Sequence, residues 1–278
     1  MPIVYAPLAP DRPDWGSVAI LPWDTENFGF RVGDWRPGDH LSTGRARDDV
    51  RRALSAWANE NRIELVSARV AAQDARGRLL LALLGFEFID CSVDVEIADL
   101  QSAAVPPPTV PIRPAERADH PEIVRIAEEA FQLDRYHADA RFPRGLPELR
   151  HRRWMERLLA SNASDAKTYT IGDPGRPLGL LAVTFSGDGT AEILLAAVDV
   201  ARHAGGIGFS LFAGALAALK QAGTRRCISK QYAANTAIMN VFARVGFRFT
   251  GTQALYHWHS PGATCLLGLE QIFSDHAC

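Results

Sequence analysis

The chain has 278 residues, 47% hydrophobic and 22% charged. This balance excludes disordered and collagen-like chains, and at about 100–200 residues per domain it allows two modest domains or one large one. A total of 30 Lys and Arg against 32 Asp and Glu leaves a net charge of −2, without the basic excess that meets nucleic-acid phosphates, so no nucleic-acid partner is expected.

The opening residues, MPIVYAPLAPDRPDW, lack a basic stretch followed by an apolar core, so no secretory signal is expected. No run approaches the ~18–20 apolar residues of a membrane span, so no membrane partner is expected either. Cys91, Cys227, Cys265 and Cys278 form no CxxC pair and read as free thiols of a reducing, cytoplasmic compartment. Leu21 to Phe30, LPWDTENFGF, reads from its residues alone as an aromatic hairpin with Trp23 and Phe28 in a core. From Ser67 the chain reads strand, polar helix cap, apolar helix, Gly85-Phe86, strand. VPPPTVP then stacks prolines with fixed φ and no N–H. It predicts a linker at 105–111 between a first domain, 1–104, and a second, 112–278.

The second half opens with a short strand at Ile112 and a helix from Ala118 to Phe131, its N-terminus capped by Asp119 with Glu122 three residues on. DRYHADARFPRG follows without periodicity, and a helix starts at Pro147 and runs to about Ala160. TYTIG is a strand; PLGLLAVTF and AEILLAAVDV flank SGDGT as a hairpin. A helix covers Gly206 to Ala222, closed by Gly223. RRCISKQY is a strand, Ala234 to Val245 a helix stopped by Gly246, and FRFTGTQALYHW the last strand. The order predicts an α/β chain, a mixed sheet covered by helices. Shifting the numbering by 161 lays Gly85-Phe86 on Gly246-Phe247 and Asp74 on Asn235, which points to duplication of one unit with the first copy eroded.

Chemistry concentrates after AEILLAAVDV. Glycines at 205, 206 and 208 sit between a strand and a helix, where backbone amides and the helix N-terminus together make an anion site suited to a pyrophosphate. The Walker pattern fails, because no lysine follows these glycines. The Rossmann fingerprint fails on the GGxG spacing and on the lack of an acid between Lys220 and Arg226.

VDVARHAGGIG followed by AANTAIMNVFARVGF resembles the Gcn5-related N-acetyltransferase (GNAT) superfamily. The resemblance implies a catalytic GNAT fold over the second domain, preceded by a smaller, degenerate GNAT-like domain. It implies acetyl-CoA, or another acyl-CoA, as co-substrate, with no metal. Its diphosphate loop maps onto His203, Ala204, Gly205, Gly206, Ile207 and Gly208, with Phe209 next, although the family has Gln or Arg where His203 stands. Asn235 matches the residue beside the pantetheine arm, and Phe242 stands where many members have an acidic Tyr. The oxyanion is expected on an amide at Ala197 or Val198. LPWDTENFGF resembles the WecD-like, dTDP-fucosamine acetyltransferase branch, whose acceptor is an amino sugar nucleotide.

Amine acetylation needs a general base, because only the neutral amine attacks a thioester. Glu192, in an apolar strand that would raise its pKa, fits that need; the same residue also fits a solvated strand end. Tyr256 or Tyr232 is the phenol available to protonate the thiolate. Arg135, Tyr136, His137 and Arg141 could meet an acidic acceptor, or line a solvated loop. The expected reaction is acetyl transfer to a primary amine of a small molecule. The open alternatives are a longer or carrier-protein-bound acyl donor, or a non-catalytic acyl-CoA-binding module. HxH at His257 and His259 lacks the further ligands of a zinc site and reads as polar strand residues. The tail from Ser260 to Cys278 is expected to pack on the other half or on a second subunit, as in a homodimer.

Overall fold

The computed structural model describes residues 3–38, 44–162, 164–202, 206–261 and 263. The apolar tail residues on which the homodimer expectation rests lie outside them. In chain order the elements are β1 (Ala6–Pro7), β2 (Ser17–Ile20), α1 (Pro22–Phe28), β3 (Arg31–Arg36), α2 (Gly44–Glu60), β4 (Ile63–Ala71), α3 (Ala75–Leu83) and β5 (Glu87–Ile97). They continue with β6 (Arg113–Pro114), α4 (His120–Ala130), α5 (Arg135–Ala138), α6 (Leu146–Leu159), β7 (Ala166–Ile171), β8 (Gly179–Phe185) and β9 (Thr190–Val198). The last are α7 (Ile207–Gln221), β10 (Arg226–Tyr232), α8 (Thr236–Val245) and β11 (Arg248–His259). Among the described residues no helix is long and apolar enough to cross a membrane.

Two compact units are present, and neither is a contiguous half. Unit 1 comprises 1–92, 134–147 and 252–278; unit 2 comprises 93–133 and 148–251. This differs from the expected division at 105–111. Val93–Ile97 of β5 belong to unit 2 and Thr252–His259 of β11 to unit 1, so each unit takes strand residues from the other half of the sequence. Nor is the proline run a free tether. Within unit 2 the amides of Thr109 and Val110 each donate to Ser210 Oγ at 3.1 Å. Ile112 occupies the space that Gly214 leaves on α7, where an added Cβ would come within 2.7 Å of it.

Unit 1 has strand order β1-β2-β3-β4-β11, with β3 parallel to β4 and the other pairs antiparallel. Trp35, Ile63, Val66, Leu81 and Phe86 form its main core. Unit 2 has order β5-β10-β9-β8-β7-β6, with β10 parallel to β9. On one face Ile193 and Cys227 share a core with Phe212 and Leu216 of α7 and Phe242 of α8. The other carries Leu180, Ala182 and Leu195 beneath α4 and α6.

Two local readings change. LPWDTENFGF is a helix, α1, because Gly29 takes the left-handed conformation at its C-cap (φ +76°) and donates back to Thr25 O at 3.0 Å. The cap before α4 forms between Glu116 and Asp119 rather than Asp119 and Glu122. The reason is Arg113, whose guanidinium grips both Asp119 oxygens at 2.6 and 2.8 Å and holds that carboxyl well below the usual range.

The repeat is visible in the backbone. Asp74 caps α3 by accepting from Gly77 N, and Asn235 caps α8 by accepting from Ile238 N. Asp74 N donates to Ala71 O, and Asn235 N to Tyr232 O. Phe86 N donates to Leu81 O, and Phe247 N to Phe242 O. Gly85 and Gly246 stop the two helices at φ +91° and +95°. Every pair is separated by the same 161 residues, and side chains as different as Leu81 and Phe242 occupy one framework.

Candidate active site

In unit 2, β8 and β9 change register between Ala182↔Leu195 and Val183↔Ile193, leaving Leu194 as an extra, bulged residue. On its other edge β9 pairs with β10 only from Arg226↔Thr190 to Ser229↔Ile193. The last tie is Ser229 Oγ donating to Ile193 O at 2.8 Å. Beyond it β9 runs on to Val198 and β10 to Tyr232 with no register pairs between the two strands. The strands open at the bulge.

Asp199 N donates to Leu178 O at 2.9 Å. In an antiparallel ladder, bonding direction alternates along the strand. Ala197 therefore bonds toward β8, while Ala196 and Val198 present their N–H and C=O to the opening. Of the two residues expected to hold an oxyanion, Val198 has the right orientation and Ala197 is committed to the ladder.

Helix α7 begins beside the same opening. An added Cβ on Gly208 would lie 3.7 Å from Val198 Cγ2. Gly206 precedes α7 with φ +72°, a conformation that favours glycine. Ser210 N donates to Gly206 O; among the described residues no carbonyl accepts from the amides of Ile207, Gly208 or Phe209. These first-turn donors and the helix dipole suit an anion. His203, Ala204 and Gly205 lie outside the described residues. Asn235 Oδ1 is occupied as a helix cap at 3.2 Å.

Glu192 lies on β9 before the bulge, opposite Thr184 on β8 and Ile228 on β10. Its neighbours Ala191 and Ile193 point into the core beneath α7 and α8, so Glu192 faces the side of α4 and α6. It is half-buried. Burial pushes its carboxyl above the ordinary value, against the opposing pull of Lys230. Alternation along β10 sets Lys230 and Tyr232 on the same face, and Lys230 is paired with Asp94 at 3.0 Å.

Two expected site residues lie elsewhere. Phe242 is 1% exposed and packs edge-on against Phe212 and Phe247 at 5.2 and 4.9 Å. It is a core residue, not a wall of the opening. Tyr256 is buried in the core of unit 1, edge-on to Phe88 at 5.7 Å, whereas Glu192 belongs to unit 2. Tyr232, half-buried at the open end of β10, is the phenol that shares Glu192's unit and face.

The four expected acceptor residues all belong to unit 1. Arg135, 7% exposed, donates to Asp24 Oδ2 at 3.0 Å, and Tyr136 OH donates to the same oxygen at 2.9 Å. The WDTENFG string supplies that acid and packs Phe28 against Tyr136 and Phe142. His137 Nδ1 lies 3.0 Å from Asp134 Oδ1. Arg141 bonds Glu87 at 2.7 Å and Asp139 Oδ1 at 3.3 Å. These side chains build a buried polar layer in place of a solvated loop.

That layer contains a cluster of which the sequence shows only two members. Asp139 Oδ2 lies 2.8 Å from His257 Nδ1 and 2.7 Å from His259 Nε2. Burial alone would raise the Asp139 carboxyl, but the two histidines hold it well below the carboxylate range. Burial pushes His257 down to about 4, against the pull of Asp139. HxH was visible; its acid, 118 residues from His257, was not.

No protein-family model matches the sequence, and no curated protein matches it. Solved structures do match. A GCN5-related N-acetyltransferase from Sphaerobacter thermophilus is similar at TM-score 0.65 and 14% identity, over 90% of this chain and 78% of that one. A tandem GNAT protein from the clavulanic acid biosynthesis pathway gives 0.58 and 16%, over 88% and 79%. A GCN5-related N-acetyltransferase from Kribbella flavida gives 0.56 and 16%, over 88% of each. With its bulged strand, opened sheet and internal repeat, the chain has the fold of the GCN5-related N-acetyltransferases.

Proposed function

We propose that the protein is an acyl-CoA-dependent N-acyltransferase that passes an acetyl group from acetyl-CoA to the primary amine of a small molecule. The observation that carries this reading is the opening between β9 and β10, beside the first-turn amides of α7. The diphosphate of the co-substrate would sit on the amides of Ile207, Gly208 and Phe209, with the pantetheine arm between the splayed strands. The amine, with a pKa of ~10, gives its proton to Glu192 directly or through water. It then attacks the thioester carbon, and the developing oxyanion accepts from Val198 N–H. Collapse breaks the C–S bond, and the proton that the acylated nitrogen sheds goes to the departing thiolate. The thiolate, with a pKa of about 8.5, needs an acid less than an alkoxide would, and Tyr232 is the phenol on the right face.

Unit 1 differs in its side chains rather than in its strand pairing. Its parallel pair β3–β4 shifts register between Arg31 and Val32 and ends at Trp35↔Ala68, the repeat counterpart of the last β9–β10 pair at Ser229. Asp34 there accepts from Ser67 Oγ at 2.9 Å and Tyr5 OH at 2.7 Å, and Trp35 is fully buried. Calorimetric titration with CoA is expected to give one site per chain, because Arg45 and Arg47 stand 161 residues before Gly206 and Gly208; two equal sites would contradict this assignment to unit 2. Incubation with acetyl-CoA and a panel of amines is expected to release free thiol only when an accepted amine is present. Absence of both CoA binding and thiol release would remove the proposal.

A further inference from the structure

We propose that Asp139, His257 and His259 hold a divalent transition-metal ion of borderline softness, in the class of Zn²⁺, inside unit 1. Strand alternation places the two histidines of β11 on one face, and the loop that follows α5 brings Asp139 against them. The three side chains are 2%, 0% and 2% exposed. Their ligand atoms all lie within 4.8 Å of one another. The two O···N separations, 2.8 and 2.7 Å, are hydrogen-bond distances, and the side chains would open by about half an ångström to reach the roughly 3.4 Å between tetrahedral ligands about 2.1 Å from a shared ion. Two imidazoles with one carboxylate suit Zn²⁺ and its neighbours rather than Ca²⁺ or Mg²⁺, which take oxygen ligands.

The surroundings orient the ligands. Asp139 Oδ1 accepts from Arg141 N at 3.0 Å and Arg141 Nε at 3.3 Å, which turns Oδ2 toward the histidines. The His257 ring lies against Tyr136 at 5.7 Å. The hydrogen bonds from Arg141 to Asp139 are of the kind that fix a ligating carboxylate in place; His257 is held by ring packing, with no hydrogen-bond partner for its Nε2 among the described residues. Of the nearby guanidiniums, Arg135 is paired with Asp24, and Arg141 divides its charge between Glu87 and Asp139 Oδ1, leaving Oδ2 to the histidines and the ion. The ion would tie the 134–147 segment to β11 and stabilise unit 1.

The test uses untagged full-length protein equilibrated with Co²⁺ and then dialysed. The expected result is one Co²⁺ per chain, with visible d–d absorption. Asp139→Asn and His259→Gln should each lower retention by roughly tenfold or more, with circular dichroism showing that the variants are folded. Proton NMR of the Co²⁺-loaded wild type gives a check without variants, through hyperfine-shifted, exchangeable imidazole N–H resonances from two histidines. Wild-type protein that retains no Co²⁺, variants that retain as much as wild type, or loaded protein without those resonances would overturn the proposal. The cluster would then be a hydrogen-bonded clasp. CoA binding in unit 2 is a separate measurement and does not depend on the outcome.

Discussion

Glu192→Gln is expected to lower kcat/KM for amine acetylation by about 10²–10⁴-fold, the range for loss of a positioned general base, while leaving CoA affinity unchanged. The substitution keeps the size of a half-buried strand residue whose partners, Thr184 and Ile228, do not depend on its charge. In the wild type the base must be ionised, and burial raises its pKa. Activity should therefore be complete at high pH and fall as pH drops through a value above that of an ordinary glutamate. Glu192→Gln should lack this acid limb. A variant with the wild-type rate and pH profile would place the base elsewhere.

Arg135→Ala is expected to destabilise unit 1 by about 1–3 kcal/mol, because it removes a buried, charge-assisted hydrogen bond to Asp24 at 3.0 Å. Tyr136 OH remains on that oxygen at 2.9 Å, which favours the lower end of the range. A double-mutant cycle with Asp24→Ala should show that the two losses do not add, since the side chains share one contact. Urea unfolding followed by tryptophan fluorescence suits the measurement: Trp15, Trp23, Trp35, Trp57 and Trp258 belong to unit 1 and Trp154 to unit 2. A loss below about 1 kcal/mol would show an exposed, screened pair instead.

Features set by nearby residues were legible in the sequence. The β8–β9 hairpin follows from SGDGT, α8 from its Asn235 and Gly246 caps, and the repeat from a constant spacing of glycines and caps. Features set by distant partners were not. Asp119 has the composition of an N-cap, yet Arg113 and Gly175 N claim its carboxylate. Phe242 carries a family spacing, but Phe212 and Phe247 decide that it is core. The bulge at Leu194 and the end of pairing at Ile193 depend on strand register, which no short motif encodes. Glu192 stands out in the sequence because a lone acid in an apolar strand is conspicuous. Asp139 was missed because its histidines lie so far along the chain.

The shared strands constrain how this chain can be born. Unit 1 needs β11 beside β4, so translation must pass His259 before its last strand arrives. A nascent chain halted near the proline run has made α1, α2 and α3 but lacks the residues that cover β4, leaving an unpaired edge prone to association. Splitting the gene at the prolines should accordingly yield two fragments that are insoluble when made apart and that rescue each other only when produced together.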